Sequence, residues 1–155
     1  MANVYLSQLT EEEKNLIINA PALVTCLIAG AEDAFNVEEE ERAKHLIRIR
    51  THNGDPLLLD FYKEVEEGFG AQLSSLIEKY GNLQATPRTE VMVSELSKLN
   101  AILPKVDDLF VRAYIKSLRT LAHSIAESSG GILGFLAVSY EESHLIGLEM
   151  ITYQP

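Results

Sequence analysis

Seven oxygen-bearing side chains crowd one short stretch: Glu32, Asp33, Asn36, Glu38, Glu39, Glu40 and Glu41. Carboxylate and amide oxygens at this density suit a hard divalent cation such as Ca²⁺ or Mg²⁺, which prefers all-oxygen coordination. A purely structural reading competes with it. Asn36 with Glu39 three residues on is a capping-box pattern, in which each side chain satisfies the other's free backbone donor. Acidic residues in a first helical turn are favoured by the helix dipole by about 0.3–1 kcal/mol each, with no ligand required. The Asp-x-Asp-x-Asp-Gly loop of an EF-hand is absent.

The other reactive side chains are scattered. Glu141 and His144 form a Glu-x-x-His pair, but a di-iron bundle needs that motif twice, with further inward glutamates. The nearest second pair, Glu41 and His45, has four-residue spacing. His123 reads as a partly buried, hydrogen-bonded residue of a long helix. Cys26 lies inside an apolar run and reads as a small core residue; a nucleophilic cysteine would need a nearby base and an exposed thiolate. Ser128-Ser129-Gly130-Gly131 offers successive backbone N–H groups for an anion, without the lysine and strand of a phosphate loop.

Such groups must be positioned by the fold, and composition narrows which fold. A chain of 155 residues suits one domain. It can bury roughly two-thirds of its unfolded surface, so it needs neither disulfide nor metal to fold. A lone cysteine rules out an intramolecular disulfide and fits a reducing compartment. The net charge of −10 repels phosphate backbones and anionic lipid, so neither nucleic acid nor membrane insertion is expected, whereas a basic protein or a cation is easier to accommodate. The opening MANVYLSQLTEEEK lacks the basic stretch and apolar core of a secretion signal. No apolar run approaches the roughly 18–20 residues of a spanning helix. A cytoplasmic location is the expectation.

Periodicity is helical throughout. Thr10 with Glu13 opens a first helix, and Pro21 is expected to divide it from a second carrying Leu23, Val24, Leu27, Ile28 and Ala31. A helix over 37–52 follows, with Ala43, Leu46, Ile47 and Arg50 inward. Asp55-Pro56 starts the next, with Leu58, Leu59, Phe61, Tyr62 and Val65 inward. Gly68 and Gly70 predict a kink or break in it, before Leu73, Leu76, Ile77 and Tyr80 resume the stripe. Thr86-Pro87 opens a helix reaching about Leu103. Asp107 or Asp108 caps a long one over 109–128. A glycine-punctuated apolar corner is expected over 129–138, where Gly130, Gly131 and Gly134 turn the chain and Phe135 plugs the bundle end. Ser139 with Glu142 then starts a last helix carrying Leu145, Ile146, Leu148 and Met150. The result is an all-α, single-domain bundle of six or seven helices spanning 1–155.

The regions around Glu32 and Gly130 are laid out alike: apolar helix, small residues, loop, capping box, helix. An internal helical-hairpin repeat and a shared capping solution both remain open. The segment IAGAEDAFNVEEEERA, residues 28–43, resembles the first helical corner of TerB-like proteins, an all-α family named for tellurite resistance. IAESSGGILGFLAVSYEE, residues 125–142, is similar to a segment near the end of many proteins with that fold. The resemblance implies a TerB-like bundle and a divalent-metal site at Glu32, Asp33, Asn36 and Glu39. Glu32 and Asp33 stand where the family pattern has Asp and Gly, Asn36 stands where it has an acidic residue, and Glu39 matches.

The expectation is thus a non-enzymatic TerB-like module of a stress or tellurite-resistance system that binds Ca²⁺ or Mg²⁺ weakly. The alternative is a metal-free interaction or scaffold module that meets a basic protein or a second copy of itself.

Overall fold

The computed structural model describes residues 4–29, 37–137 and 145–153, with backbone alone for 37–39, 53, 85 and 128–137. Every regular element among the described residues is helical. Five helices have 13 or more residues: α1 (Glu11–Ala29), α2 (Val37–Asn53), α3 (Leu59–Tyr80), α4 (Ala85–Ser97) and α6 (Asp108–Ala137), with a single turn α5 (Leu99–Ile102) between the last two. No described helix is long and apolar enough to cross a membrane.

α1 is the central helix, packed against α2, α3, α4 and α6. The predicted capping box starts it: the Thr10 amide donates to Glu13 Oε1 at 3.0 Å and the Glu13 amide to Thr10 Oγ1 at 3.2 Å. From Ala20 to Ala29 every residue is buried, so the helix is covered on all sides and not along one stripe.

The expected division at Pro21 does not occur; α1 runs straight through. Proline has no N–H for the carbonyl four residues back, which is that of Ile17. The fully buried Tyr114 hydroxyl of α6 donates to that carbonyl at 2.9 Å. A side chain from another helix thus replaces the bond that proline removes. The Thr25 hydroxyl, one turn on, donates to the Pro21 carbonyl at 2.8 Å.

α3 is likewise continuous across Gly68 and Gly70. Asp55 starts its leading 3-10 turn, accepting from the Leu57 amide at 2.9 Å. Phe61, Tyr62, Val65, Phe69 and Leu73 then give it an unbroken buried face. Phe61 meets Phe110 and Tyr114 of α6 edge-on, with centroids 6.1 and 5.3 Å away. α4 ends at Ser97, short of the expected Leu103, and Leu103–Lys105 forms a 3-10 turn around Pro104.

Asp107 caps α6 through the Leu109 amide at 2.9 Å. The helix then continues to Ala137, 30 residues in all. The glycine corner expected after Ser128 is therefore helix up to Ala137: extending a formed helix is cheap, and each glycine costs only about 1 kcal/mol. The second of the two similar-looking regions therefore lies largely within one helix, while residues 30–36 of the first lie outside the described residues.

The expected last helix ends earlier than its apolar stripe suggests: Leu145 and Ile146 are helical, while its expected start at Ser139 and Glu142 lies outside the described residues. Gly147 to Met150 lie in turns, and Leu148 adopts a left-handed φ of 49°. A non-helical strap over 147–153 results. Asn100 clamps it, donating to the Met150 carbonyl at 2.8 Å and accepting from the Thr152 amide at 2.8 Å. Arg119 donates to the carbonyls of Gly147 and Ile151 at 3.1 and 3.3 Å. These bonds, with Leu148 and Ile151 buried beneath, outweigh the roughly 1–2 kcal/mol that a left-handed side-chain residue costs.

Candidate binding cleft

The two helices that run through their breakers wall an open cleft of about 460 Å³. α1 contributes Leu16, Asn19 and Leu23, spaced along one face and straddling Pro21. α3 contributes Ala71, Gln72, Ser75, Leu76, Lys79 and Tyr80, all beyond its glycines, and α4 contributes Glu95. A break at Pro21 would swing Leu23 away from Leu16, and a kink at Gly68 would redirect the whole α3 wall.

The lining is apolar at Leu16, Leu23, Ala71, Leu76 and Tyr80 and polar elsewhere. Lys79 Nζ lies 5.2 Å from the Tyr80 ring centroid, a cation–π distance. Glu95 pairs with Lys98 at 2.8 Å, and this hydrogen bond raises the Lys98 ammonium above its ordinary value. Gln72 Oε1 is buried and accepts no hydrogen bond from the described residues. An unmatched buried acceptor costs about 1–3 kcal/mol.

The residues singled out in sequence lie elsewhere. Glu32, Asp33 and Asn36 fall outside the described residues. Glu39 is in the first turn of α2, its side chain outside the description. Beside it, Glu40 is half-buried, and burial raises its carboxyl above the ordinary range, with Lys44 opposing and Glu41 adding. Among the described residues no three of His, Cys, Asp and Glu converge closely enough to hold a metal.

Cys26 is in the core, as its apolar neighbours suggest. Burial pushes its thiol up to about 12, with Glu40 adding and Arg88 opposing. It is a neutral thiol at physiological pH and not a nucleophile. His123, expected to be partly buried, is exposed and lies 3.0 Å from Glu127 on the same helix. His45 and His52 are exposed on α2, and Glu141 and His144 lie outside the described residues. Ser128 to Gly131 are helical, so their N–H groups face along the helix and form no anion nest.

Two polar features were not fully read in sequence: buried Arg88, and the joining of Arg50 and Tyr62, both expected inward, at Ser117. Arg88 is 1% exposed and donates from Nη1 to the Leu83 carbonyl at 2.9 Å. Its spacing carried the signal: Arg88 sits on the same inward stripe as Met92 and Leu96. The second feature ties α2, α3 and α6 together. The Tyr62 hydroxyl hydrogen-bonds Ser117, Arg50 Nε donates to Ser117 Oγ at 3.3 Å, and the Arg50 guanidinium lies 5.9 Å from the Tyr62 ring centroid. Burial raises the Tyr62 phenol above its usual value, with the Arg50 charge opposing. The second feature holds three helices together, and the Arg88 bond ties the α3–α4 connection to α4.

No family model, no curated protein and no solved structure matches this chain.

Proposed function

We propose that the chain is a non-catalytic helical interaction module whose partner engages the cleft between α1, α3 and α4. The observation that carries this reading is the cleft's mixed lining, five apolar side chains among polar and charged neighbours. Such a lining suits an inserted apolar side chain flanked by polar contacts, the usual anatomy of a protein interface. The net charge of −10 favours a basic partner, through encounter rate and selectivity more than through affinity.

The test is an amide NMR titration of the full chain with a basic amphipathic peptide bearing leucine anchors one helical turn apart. Saturable shifts at Leu16, Leu76 and Tyr80, abolished by Ala71→Arg, are expected. Shifts elsewhere, or none, contradict the reading. Light scattering adds the case of self-association: a dimer dissociated by Ala71→Arg makes a second copy the partner.

The second reading is a TerB-like module of a stress or tellurite-resistance system, with a divalent cation held at Glu32, Asp33, Asn36 and Glu39. What favours it is Glu40, whose carboxyl bears a burial penalty at the start of α2; a bound cation would reverse that penalty. Calorimetry with Ca²⁺ and Mg²⁺ decides it. Heat of binding with a rise in melting temperature supports the cation, and neither effect at millimolar metal removes it.

A further inference from the structure

We propose that a second pocket, between α6 and the C-terminal strap, binds a small phosphate monoester. The pocket is open to solvent, has a volume of about 330 Å³ and is lined by Arg112, Ile115, Lys116, Arg119, Thr120 and Tyr153. Only 13 of the 155 residues are Lys or Arg against 23 Asp and Glu. Three of those cations line this one pocket, and no carboxylate does. Their positions on α6, separated by four and then three residues, stack them along one face of the helix.

The three are in different states. Arg112 Nε pairs with Asp108, one turn back, at 2.8 Å. Arg119 is fixed in place by the carbonyls of Gly147 and Ile151, so its guanidinium is pre-positioned at the pocket wall. Lys116 is exposed and, among the described residues, pairs with no carboxylate. A planar guanidinium and a mobile ammonium at one site are the usual complement to phosphate oxygens. Tyr153 is brought in by the strap, whose amides at Thr152 and Tyr153 both donate to Asn100 Oδ1, at 2.8 and 3.2 Å. With Ile115 it gives the pocket an apolar side, so an organic phosphate fits better than the bare ion.

The surrounding charge selects the size of the ligand. At physiological ionic strength charges beyond about 8 Å are largely screened, so a small anion in the pocket feels chiefly Lys116 and Arg119, the charge of Arg112 being offset by Asp108. A polyanion would extend past the pocket onto a surface of net charge −10 and be repelled. The volume lies at the small end of ligand sites, which run from about 300 to 1,000 Å³.

The test is an amide NMR titration of the full chain with phenyl phosphate at constant ionic strength, with inorganic phosphate and benzoate as separate arms. The expected result is saturable shifts at Lys116, Arg119, Thr120 and Tyr153, strongest for phenyl phosphate, weaker for inorganic phosphate and weakest for benzoate. Lys116→Glu should raise the phenyl phosphate Kd about tenfold or more, because it removes a charge-assisted contact. Lys116→Gln should raise it less. Lys63→Glu, the same charge change on the exposed side of α3, should leave it unchanged. The proposal is overturned by shifts that do not saturate, by benzoate binding as well as phenyl phosphate, or by Lys63→Glu weakening binding as much as Lys116→Glu.

Discussion

α1 at Pro21 and α3 at Gly68 and Gly70 pose one problem with two different solutions. Both carry residues that commonly end helices, and both continue. In α1 the obstacle is a specific missing hydrogen bond, and it is met by a specific donor, the Tyr114 hydroxyl, 97 residues away from Ile17 in sequence. In α3 the obstacle is diffuse, about 1 kcal/mol of helix propensity per glycine. There the buried face of Val65, Phe69 and Leu73 suffices, since burying each such side chain contributes about 1.5–3 kcal/mol. A proline is tolerated here through one tertiary contact, a glycine through the sum of ordinary packing. The distinction matters for function, because both continuities are needed to form the cleft.

The contrast predicts unequal responses to mutation. The largest effect belongs to Tyr114→Ala, which removes a fully buried ring and the donor to Ile17 together. A loss of about 3–5 kcal/mol is expected in a denaturant titration, with the cleft resonances of Leu16 and Leu23 perturbed. Stability within about 1 kcal/mol of wild type would show that the contact carries nothing.

In α3 the effect is smaller and of opposite sign. A Cβ at Gly70 meets nothing within 4 Å, so Gly70→Ala should stabilise by about 0.5–1 kcal/mol. At Gly68 a Cβ would come within 3.1 Å of Gln72 Nε2, the end of a flexible side chain. Gly68→Ala should therefore gain less than Gly70→Ala, and a gain larger than at Gly70 would show that Gln72 is free to leave its place in the cleft.

The smallest effect is electrostatic. Glu40's carboxyl is raised in the folded state, mainly by burial. A raised carboxyl favours folding below the unfolded value and loses that contribution as pH rises through the folded value. Glu40→Gln should thus be the more stable protein at neutral pH, and its advantage should fade as pH falls through the ordinary carboxylate range. Thermal melts across that range check the sign; an advantage that grows on acidification contradicts it.

The sequence was most readable where the physics is local. Thr10 with Glu13, Asp55 before Pro56, and Asp107 all cap as their spacing indicates, because partner and backbone lie within three residues. The inward faces at Ala43, Leu46 and Ile47 and at Phe61, Tyr62 and Val65 followed from periodicity. Sequence misled where a distant group decides. Nothing near Pro21 announces Tyr114, and nothing near Leu148 announces Asn100 or Arg119. Glycines at 130, 131 and 134 suggested a corner because propensity was weighed without the long helix feeding into them. Neither pocket was legible, since each joins residues from separate segments. Of the acidic corner, Glu32, Asp33 and Asn36 lie outside the described residues.

The central claim is that Tyr114 lets α1 pass through its proline and so builds the α1 wall of the cleft. A double-mutant cycle of Tyr114→Phe with Pro21→Ala tests it most directly. With Pro21 present, losing the hydroxyl leaves a buried carbonyl unmatched and should cost about 1–3 kcal/mol. In the Pro21→Ala background, where the new residue supplies the missing N–H, the same change should cost clearly less, giving a coupling above about 0.5 kcal/mol. Equal costs in the two backgrounds would contradict the account.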